Sequence, residues 1–228
     1  MLLVDEWLSS RMGNRCYDVV VSSRDELESA YTEAEPGSYL TARSPTELDD
    51  VPLPLLDTML ILESGHAWEE GRASARGTEL GPHHAVDLGR LMAGHFANRW
   101  LREPAFKRSR VTAAYRDWGE GLPQRSKYVR GIWLDGELVV LAAVRSLSPN
   151  RLVVDPIVTD ARMRSKGLAS EVLHDALARI EKGITVEAVV STANEASLRV
   201  FAKSGFRERG LKYIYGGPLV RGKAVESR

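Results

Sequence analysis

Seven residues, RSKGLAS at positions 164–170, combine two cations, a glycine and small side chains ahead of a helix-like stretch, with no acid before Glu171. A pyrophosphate requires backbone N–H groups converging on one point, a chain that can approach closely, and positive charge nearby. A strand running into a glycine-bearing helix start meets all three needs, through its unpaired first-turn donors and the helix dipole. In Arg164-Ser165-Lys166-Gly167-Leu168-Ala169, Gly167 removes a Cβ and admits an unusual φ, Ala169 keeps the surface low, and Arg164 and Lys166 add charge. The same composition also suits an ordinary solvated basic helix start. The commoner nucleotide motifs, G-x-x-x-x-G-K-[ST] and G-x-G-x-x-G, are absent.

The elements around this stretch alternate between strand-like and helix-like patterns. From residue 86 the order is helix, helix, hairpin, strand, helix, strand, helix, strand, which predicts an α/β unit with a mixed sheet. AVDLGRLMAGHFANRWL has helical spacing and stops before Pro104, and a second helix is expected from Arg110 to Gly119. The pair Asp135-Gly136 between two apolar runs is a strong hairpin signal. RLVVDPIVTD then reads as a strand, Leu168 to Ile180 as an amphipathic helix, ITVEAVVST as a strand, NEASLRVFAKSG as a helix and LKYIY as a last strand. Upstream, YDVVVSS and Met59 to Leu62 read as strands, and SRDELESAYTEA as a helix with Ser23 and Glu26 in capping-box spacing. The polar, glycine-punctuated segment 64–78 reads as a linker, dividing a smaller α/β region, 1–63, from the main domain, 79–228.

Composition narrows the classes. At 228 residues and 43% hydrophobic the chain can bury a sizeable core. The 31 basic and 31 acidic residues cancel, so bulk charge calls neither for nucleic acid nor for an acidic membrane. The cluster KRSR at Lys107 to Arg110 and the tail LVRGKAVESR read as solvated faces. Cys16 is the only cysteine, which excludes an intramolecular disulfide framework and fits a reducing, cytoplasmic compartment. The N-terminus has acids where a signal peptide needs cations, and the longest apolar run, Leu138 to Val144, cannot span a bilayer. The five histidines show no metal-binding or catalytic spacing.

A second segment changes the reading of the first. Arg164, Gly167 and Ala169 fit [QR]-x-x-G-x-[GA] after a strand, and Asn194, Ser197, Phe201, Gly205 and Phe206 follow in order. Together they resemble the cofactor signature of the GNAT acyltransferase superfamily. The resemblance implies a GNAT fold: a mixed, mostly antiparallel sheet with helices on both faces and a V-shaped opening between strands 151–159 and 184–192. Acetyl-CoA or another acyl-CoA would lie there as co-substrate. Its pantetheine would pair with the backbone of Ile157, Val158 and Thr159, and its pyrophosphate would sit on the amides of Arg164, Ser165, Lys166, Gly167, Leu168 and Ala169. Asn194, Ser197 and Phe201 would border the same ligand, although Asn194 equally reads as a helix N-cap. Further upstream, HFANRWLREPAF followed by TAAYRDWGEGL is similar to the F-x-x-[SN]-R-[FW]-x-x-[DE]-P pattern of the dTDP-fucosamine N-acetyltransferase type. That likeness implies a reduced, GNAT-like N-terminal half, with SYLTARSPTELDDVPLPLLDTMLILES as strand, short helix and strand. It also points to Arg99 and Trp100 on the acceptor side, where a core role for Trp100 fits as well.

Acyl transfer to an amine near pKa about 10.4 needs a base, a donor for the developing oxyanion, and a thiolate that leaves. Asp155 stands where the family places a base, and Asp155-Pro156 also reads as a strand irregularity. Glu187 is a second candidate, and a backbone N–H near Val158 is the implied oxyanion donor. The family's tyrosine acid is replaced by Phe201, leaving as substitutes Tyr213 and Tyr215, each of which reads more readily as a packing or rim residue. A thiol of pKa about 8.5 can also depart unassisted. The acceptor readings are an amino sugar or nucleotide-linked amino sugar, then an amino acid, polyamine, antibiotic or protein amine. A non-catalytic acyl-CoA sensor is the contrasting class, and a homodimer a further expectation.

Overall fold

The computed structural model describes residues 2–64, 74, 76–95 and 99–219. The linker 64–78 lies largely outside the described residues, as do the side chain of Arg99 and all but Leu219 of the tail LVRGKAVESR. Four strands precede the linker: β1 (Leu3–Val4), β2 (Cys16–Val20), β3 (Tyr39–Ser44) and β4 (Leu55–Ser64). Helices α1 (Glu6–Met12) and α2 (Arg24–Glu33) lie between the first three. After it come β5 (Thr78–Glu79), α3 (Ala85–His95), α4 (Arg108–Glu120), α5 (Leu122–Arg125), β6 (Tyr128–Leu134), β7 (Glu137–Ser148) and β8 (Arg151–Thr159). The chain closes with α6 (Leu168–Leu177), β9 (Thr185–Ser191), α7 (Glu195–Lys203) and β10 (Arg207–Pro218).

All these strands belong to one sheet, in the order β1-β2-β3-β10-β4-β9-β8-β7-β6-β5. Most neighbours are antiparallel, β2–β3 and β8–β9 being parallel. The strands of residues 2–64 therefore join the sheet of the main domain, and β4 inserts between β10 and β9. This is the expected α/β architecture, with the N-terminal strands extending it. The stretch between β3 and β4 forms bends where a short helix was expected. Pro45, Pro52 and Pro54 restrict the residues before them, and Asp50 has φ +50°, outside helical space.

Local signals account for the elements next to the site. Asp135 and Gly136 have φ of 51° and 78°, the doubly left-handed corner that matches strand twist, and the hairpin pairs Leu134 with Glu137. Ser23 Oγ accepts from Glu26 N at 3.3 Å, while the Glu26 carboxylate accepts from Ser22 N, one residue earlier than a capping box requires. Side chains alternate across the sheet, so two cores form. On one face α1, α3 and α4 cover Leu141, Ala143 and Val158, with Leu8, Leu88 and Val111 among the contributors. On the other, α6 and α7 cover Val140, Ala142 and Leu152, while α2 covers Val19 and Leu40.

Candidate active site

Strands β8 and β9 pair only from Arg151–Thr185 to Val154–Ala188, after which β8 continues to Thr159 and β9 to Ser191 without pairing each other. The ladders on their outer sides continue: Ile157 to Thr159 pair with β7, and Val189 to Ser191 pair with β4. The two strands thus splay into a V whose closed end is Val154–Ala188. On the β8–β7 side the register skips two residues, Asp155 and Pro156, against the single Ala143. That bulge marks the start of the opening.

The direction of the β8 backbone follows from one bond. Asp160 N donates to Val139 O of β7 at 2.8 Å, and alternation sends the N–H and C=O of Val158 to β7 as well. Ile157 and Thr159 therefore present theirs to the opening. The N–H groups near Val158 that face the opening are thus those of Ile157 and Thr159, while Val158 turns its own to β7 and buries its side chain in the core.

Past β8, Asp160 caps a 3-10 turn, Ala161–Met163, by accepting from Arg162 N at 2.8 Å. The chain then passes through Ser165 at φ 63° and Gly167 at φ 79° into α6. Gly167 is the N-cap and offers no side chain, so the first-turn amides of Leu168 and Ala169 receive no cap from it. The space beyond Gly167 is open: a Cβ built there would meet nothing within 4 Å. Arg164, Ser165 and Lys166 are exposed beside it, while the side chain of Leu168 is buried and leaves only its backbone to the site. Two left-handed residues, an uncapped helix start and flanking cations fit an anionic group.

Asn194 is the N-cap of α7, its Oδ1 accepting from Ser197 N at 3.2 Å. Phe201 is buried and packs edge-on against Phe206 with ring centroids 4.9 Å apart. Its ring belongs to the core under α6 and α7.

Asp155 is half-buried, with Arg145 Nε 3.4 Å from its Oδ2. Burial pushes its carboxyl above the ordinary carboxylate value, while Arg145 and, at longer range, Arg125 pull it back. A carboxylate of raised basicity at the closed end of the V can take a proton from an amine. Glu187 is buried in an ion pair with Arg151, beside Val153 where β8 and β9 are still paired, so it is engaged outside the opening.

The two tyrosines are not brought to the opening. β4 separates β10 from β9, and alternation turns Tyr213 and Tyr215 to the α2 face. Tyr215 is buried there, its hydroxyl accepting from Leu48 N at 2.7 Å and donating to Leu48 O at 3.3 Å. Trp100 packs edge-on against Tyr39 at 5.7 Å, and Glu103 of the same segment accepts from the Tyr39 hydroxyl at 2.8 Å. The segment expected on the acceptor side is thereby tied to β3.

Three residues that sequence patterns did not single out stand on the Asp155 face: Arg145, Asp57 and Ser191. Ser191 Oγ donates to Asp57 Oδ1 at 2.7 Å, joining the free end of β9 to β4. Counting across the β7–β8 turn would have found Arg145, which pairs opposite Val153. Nothing local announces Asp57, because β4 reaches β9 from across the chain.

Comparison with known proteins agrees with this geometry. Residues 94–206 match the acetyltransferase (GNAT) family. The chain carries a GNAT acetyltransferase domain. That places it among the acyl-CoA-dependent N-acetyltransferases. No curated protein sequence matches the chain. A putative GNAT-family acetyltransferase from Novosphingobium aromaticivorans shares the fold at TM-score 0.61 and 17% identity, over 84% of this chain and 78% of that one. A functionally unknown conserved protein from Staphylococcus epidermidis aligns at TM-score 0.62 and 11% identity, over 90% and 84%. A GCN5-related N-acetyltransferase from Kribbella flavida aligns at 0.57 and 10%, over 92% and 83%. Among the described residues no helix is long and apolar enough to cross a membrane.

Proposed function

We propose that this GNAT domain transfers an acetyl group from acetyl-CoA to a primary amine of a small molecule, with Asp155 as the base. The observation that carries the reading is the half-buried Asp155, its carboxyl raised by burial, at the closed end of the β8–β9 opening. Acetyl-CoA supplies the activated acyl group as a thioester. The amides of Arg164 to Ala169 hold its pyrophosphate, and the outward N–H and C=O groups of Ile157 and Thr159 align its arm. One of these two N–H groups also serves as the oxyanion donor. Asn194 and Ser197 form the far wall, Asn194 acting through the N-cap that fixes the start of α7, with the buried ring of Phe201 packed behind them.

The acceptor enters from the face of α1, α3 and α4, where Asp155 and Arg145 lie. We read residues 1–63 as the reduced N-terminal half, lending β3 and β4 to the floor of that side, with Arg99 and Trp100 at its rim. An amino sugar or nucleotide-linked amino sugar is the acceptor class favoured by the HFANRWLREPAF likeness, a segment that Glu103 ties to Tyr39 of β3. Calorimetry with acetyl-CoA, followed by CoA release across a panel of amino sugars, amino acids, polyamines and aminoglycosides, tests the reading. Binding with release on an amino sugar supports it. Binding without release on any amine would favour a silent acyl-CoA sensor, and no binding would remove both.

A further inference from the structure

The register of the sheet lines up one row of polar side chains beside the opening. Arg43 of β3 pairs with Ile214 of β10, and Ile214 pairs with Asp57 of β4. Two residues along β10, Lys212 pairs with Met59, which in turn pairs with Ser191 of β9. Side chains on directly paired residues share a face, so Arg43, Lys212, Asp57 and Ser191 lie on one side of the sheet. Glu187, four residues back from Ser191 on β9 and so on the same face, pairs with Val153, and Val153 and Asp155 are two apart on β8. The row therefore continues onto the face of the proposed base.

The charges in this row are unequally satisfied. Arg43 donates from Nε to Asp18 Oδ1 at 2.9 Å, with Asp5 also close enough to act on it. Asp57 accepts from Ser191. Among the described residues Lys212 makes no ion pair, although it is half-buried and has Arg43 as a neighbour. Burial and that neighbouring guanidinium both lower its pKa, the signature of an ammonium short of negative charge.

We propose that Lys212, with Arg43 beside it, forms an anion subsite of the acceptor pocket, so that the acceptor carries a phosphate or carboxylate several bonds from its reacting amine. The inference rests on the acceptor side assigned under the proposed function. Three strand spacings, at least about 14 Å and more where β8 and β9 splay, separate β10 from β8, so the carboxylate of a free α-amino acid lies too near its amine to reach both groups. A sugar or nucleotide spacer fits that separation.

The test compares kcat/KM for a hexosamine, its 6-phosphate and an amino-hexuronic acid in the wild type, Lys212→Met and Lys212→Arg. The wild type favours one anionic amine over the neutral one by about tenfold or more, the size of one charge-assisted contact. Lys212→Met collapses that ratio, Lys212→Arg keeps most of it, and acetyl-CoA affinity is the same in all three. The phosphate and carboxylate arms show which anion is read. A ratio near one in the wild type, or one unchanged by Lys212→Met, overturns the subsite. If no amine is acetylated, the proposed function fails separately. The subsite is then read by calorimetry of hexosamine 6-phosphate with coenzyme A saturating its own site: binding lost in Lys212→Met supports it, and equal or absent binding overturns it.

Discussion

Arg145 and Asp155 meet across the β7–β8 ladder at the bulge where β8 leaves β9, with guanidinium Nε 3.4 Å from carboxylate Oδ2. Burial raises the carboxyl, and the guanidinium limits the rise. A base must be unprotonated to act, so activity falls as pH drops through the raised pKa of Asp155. In Arg145→Met the restraining charge is gone, and the acid limb of the kcat/KM profile moves to higher pH. A limb that stays in place would show that Arg145 does not tune the base. The stability sign is the reverse of that for a paired carboxylate. The folded state holds the Asp155 proton more tightly than the unfolded one, so this group favours folding below its unfolded pKa, and that contribution is lost as pH rises through the folded value.

The helix start at Gly167 makes a prediction about binding alone. Its φ of 79° is strained for any residue with a Cβ, while the space around it is open. Gly167→Ala costs roughly 1–2 kcal/mol in that conformation, or moves the loop to avoid it. The KM for acetyl-CoA rises several-fold while kcat is largely kept. A fall in kcat at unchanged KM would place Gly167 elsewhere in the cycle.

A buried pair fixes the end of the linker. Arg130 Nε donates to Asp175 Oδ2 at 2.5 Å, Asp175 being fully buried, and Arg130 also donates to Gly77 O at 2.9 Å. Arg130→Met leaves the carboxylate largely uncompensated, at a cost of about 3–5 kcal/mol. At roughly 2–4 °C per kcal/mol for a chain of this size, the melting temperature drops by about 10 °C. Combining it with Asp175→Leu recovers most of the loss. A thermal melt of the single and double variants checks this, and a double variant no better than the single one would contradict it.

Tyr215 provides the contrast between anchoring and catalysis. Its hydroxyl bridges the N–H and C=O of Leu48 on the α2 face. Tyr215→Phe leaves the partly buried N–H and C=O of Leu48 without this partner, costing about 1 kcal/mol in a urea melt, with kcat and its pH profile unmoved. A changed alkaline limb would return the tyrosine to the chemistry.

How much of this was readable beforehand depends on range along the chain. RSKGLAS, the Asp135-Gly136 corner and the Asn194 cap are local devices, each specified within a few residues, and apart from the left-handed Ser165 each adopts a conformation its composition favours. The strand that carries Asp155 follows from the β-branched apolar residues of RLVVDPIVTD after the turn at Ser148 to Asn150. What was not legible is long-range pairing. β4 sits between β10 and β9 although the three lie far apart in sequence, and that insertion puts Asp57 beside Ser191 and moves Tyr213 and Tyr215 a strand away from β9. Glu187 looked free because Arg151, its partner, belongs to another strand. The orientation of the Val158 amide depends on a ladder bond at Asp160, which residue types do not encode.

The most direct measurement is single-turnover acetyl transfer by Asp155→Asn with an accepted amine, alongside its calorimetric affinity for acetyl-CoA. The asparagine keeps the shape and removes the basic lone pair. A rate lower by about 10²–10⁴-fold, the range of general-base catalysis, with acetyl-CoA affinity and melting behaviour close to the wild type, is the predicted result. Transfer at the wild-type rate would contradict the assignment of Asp155 as the base.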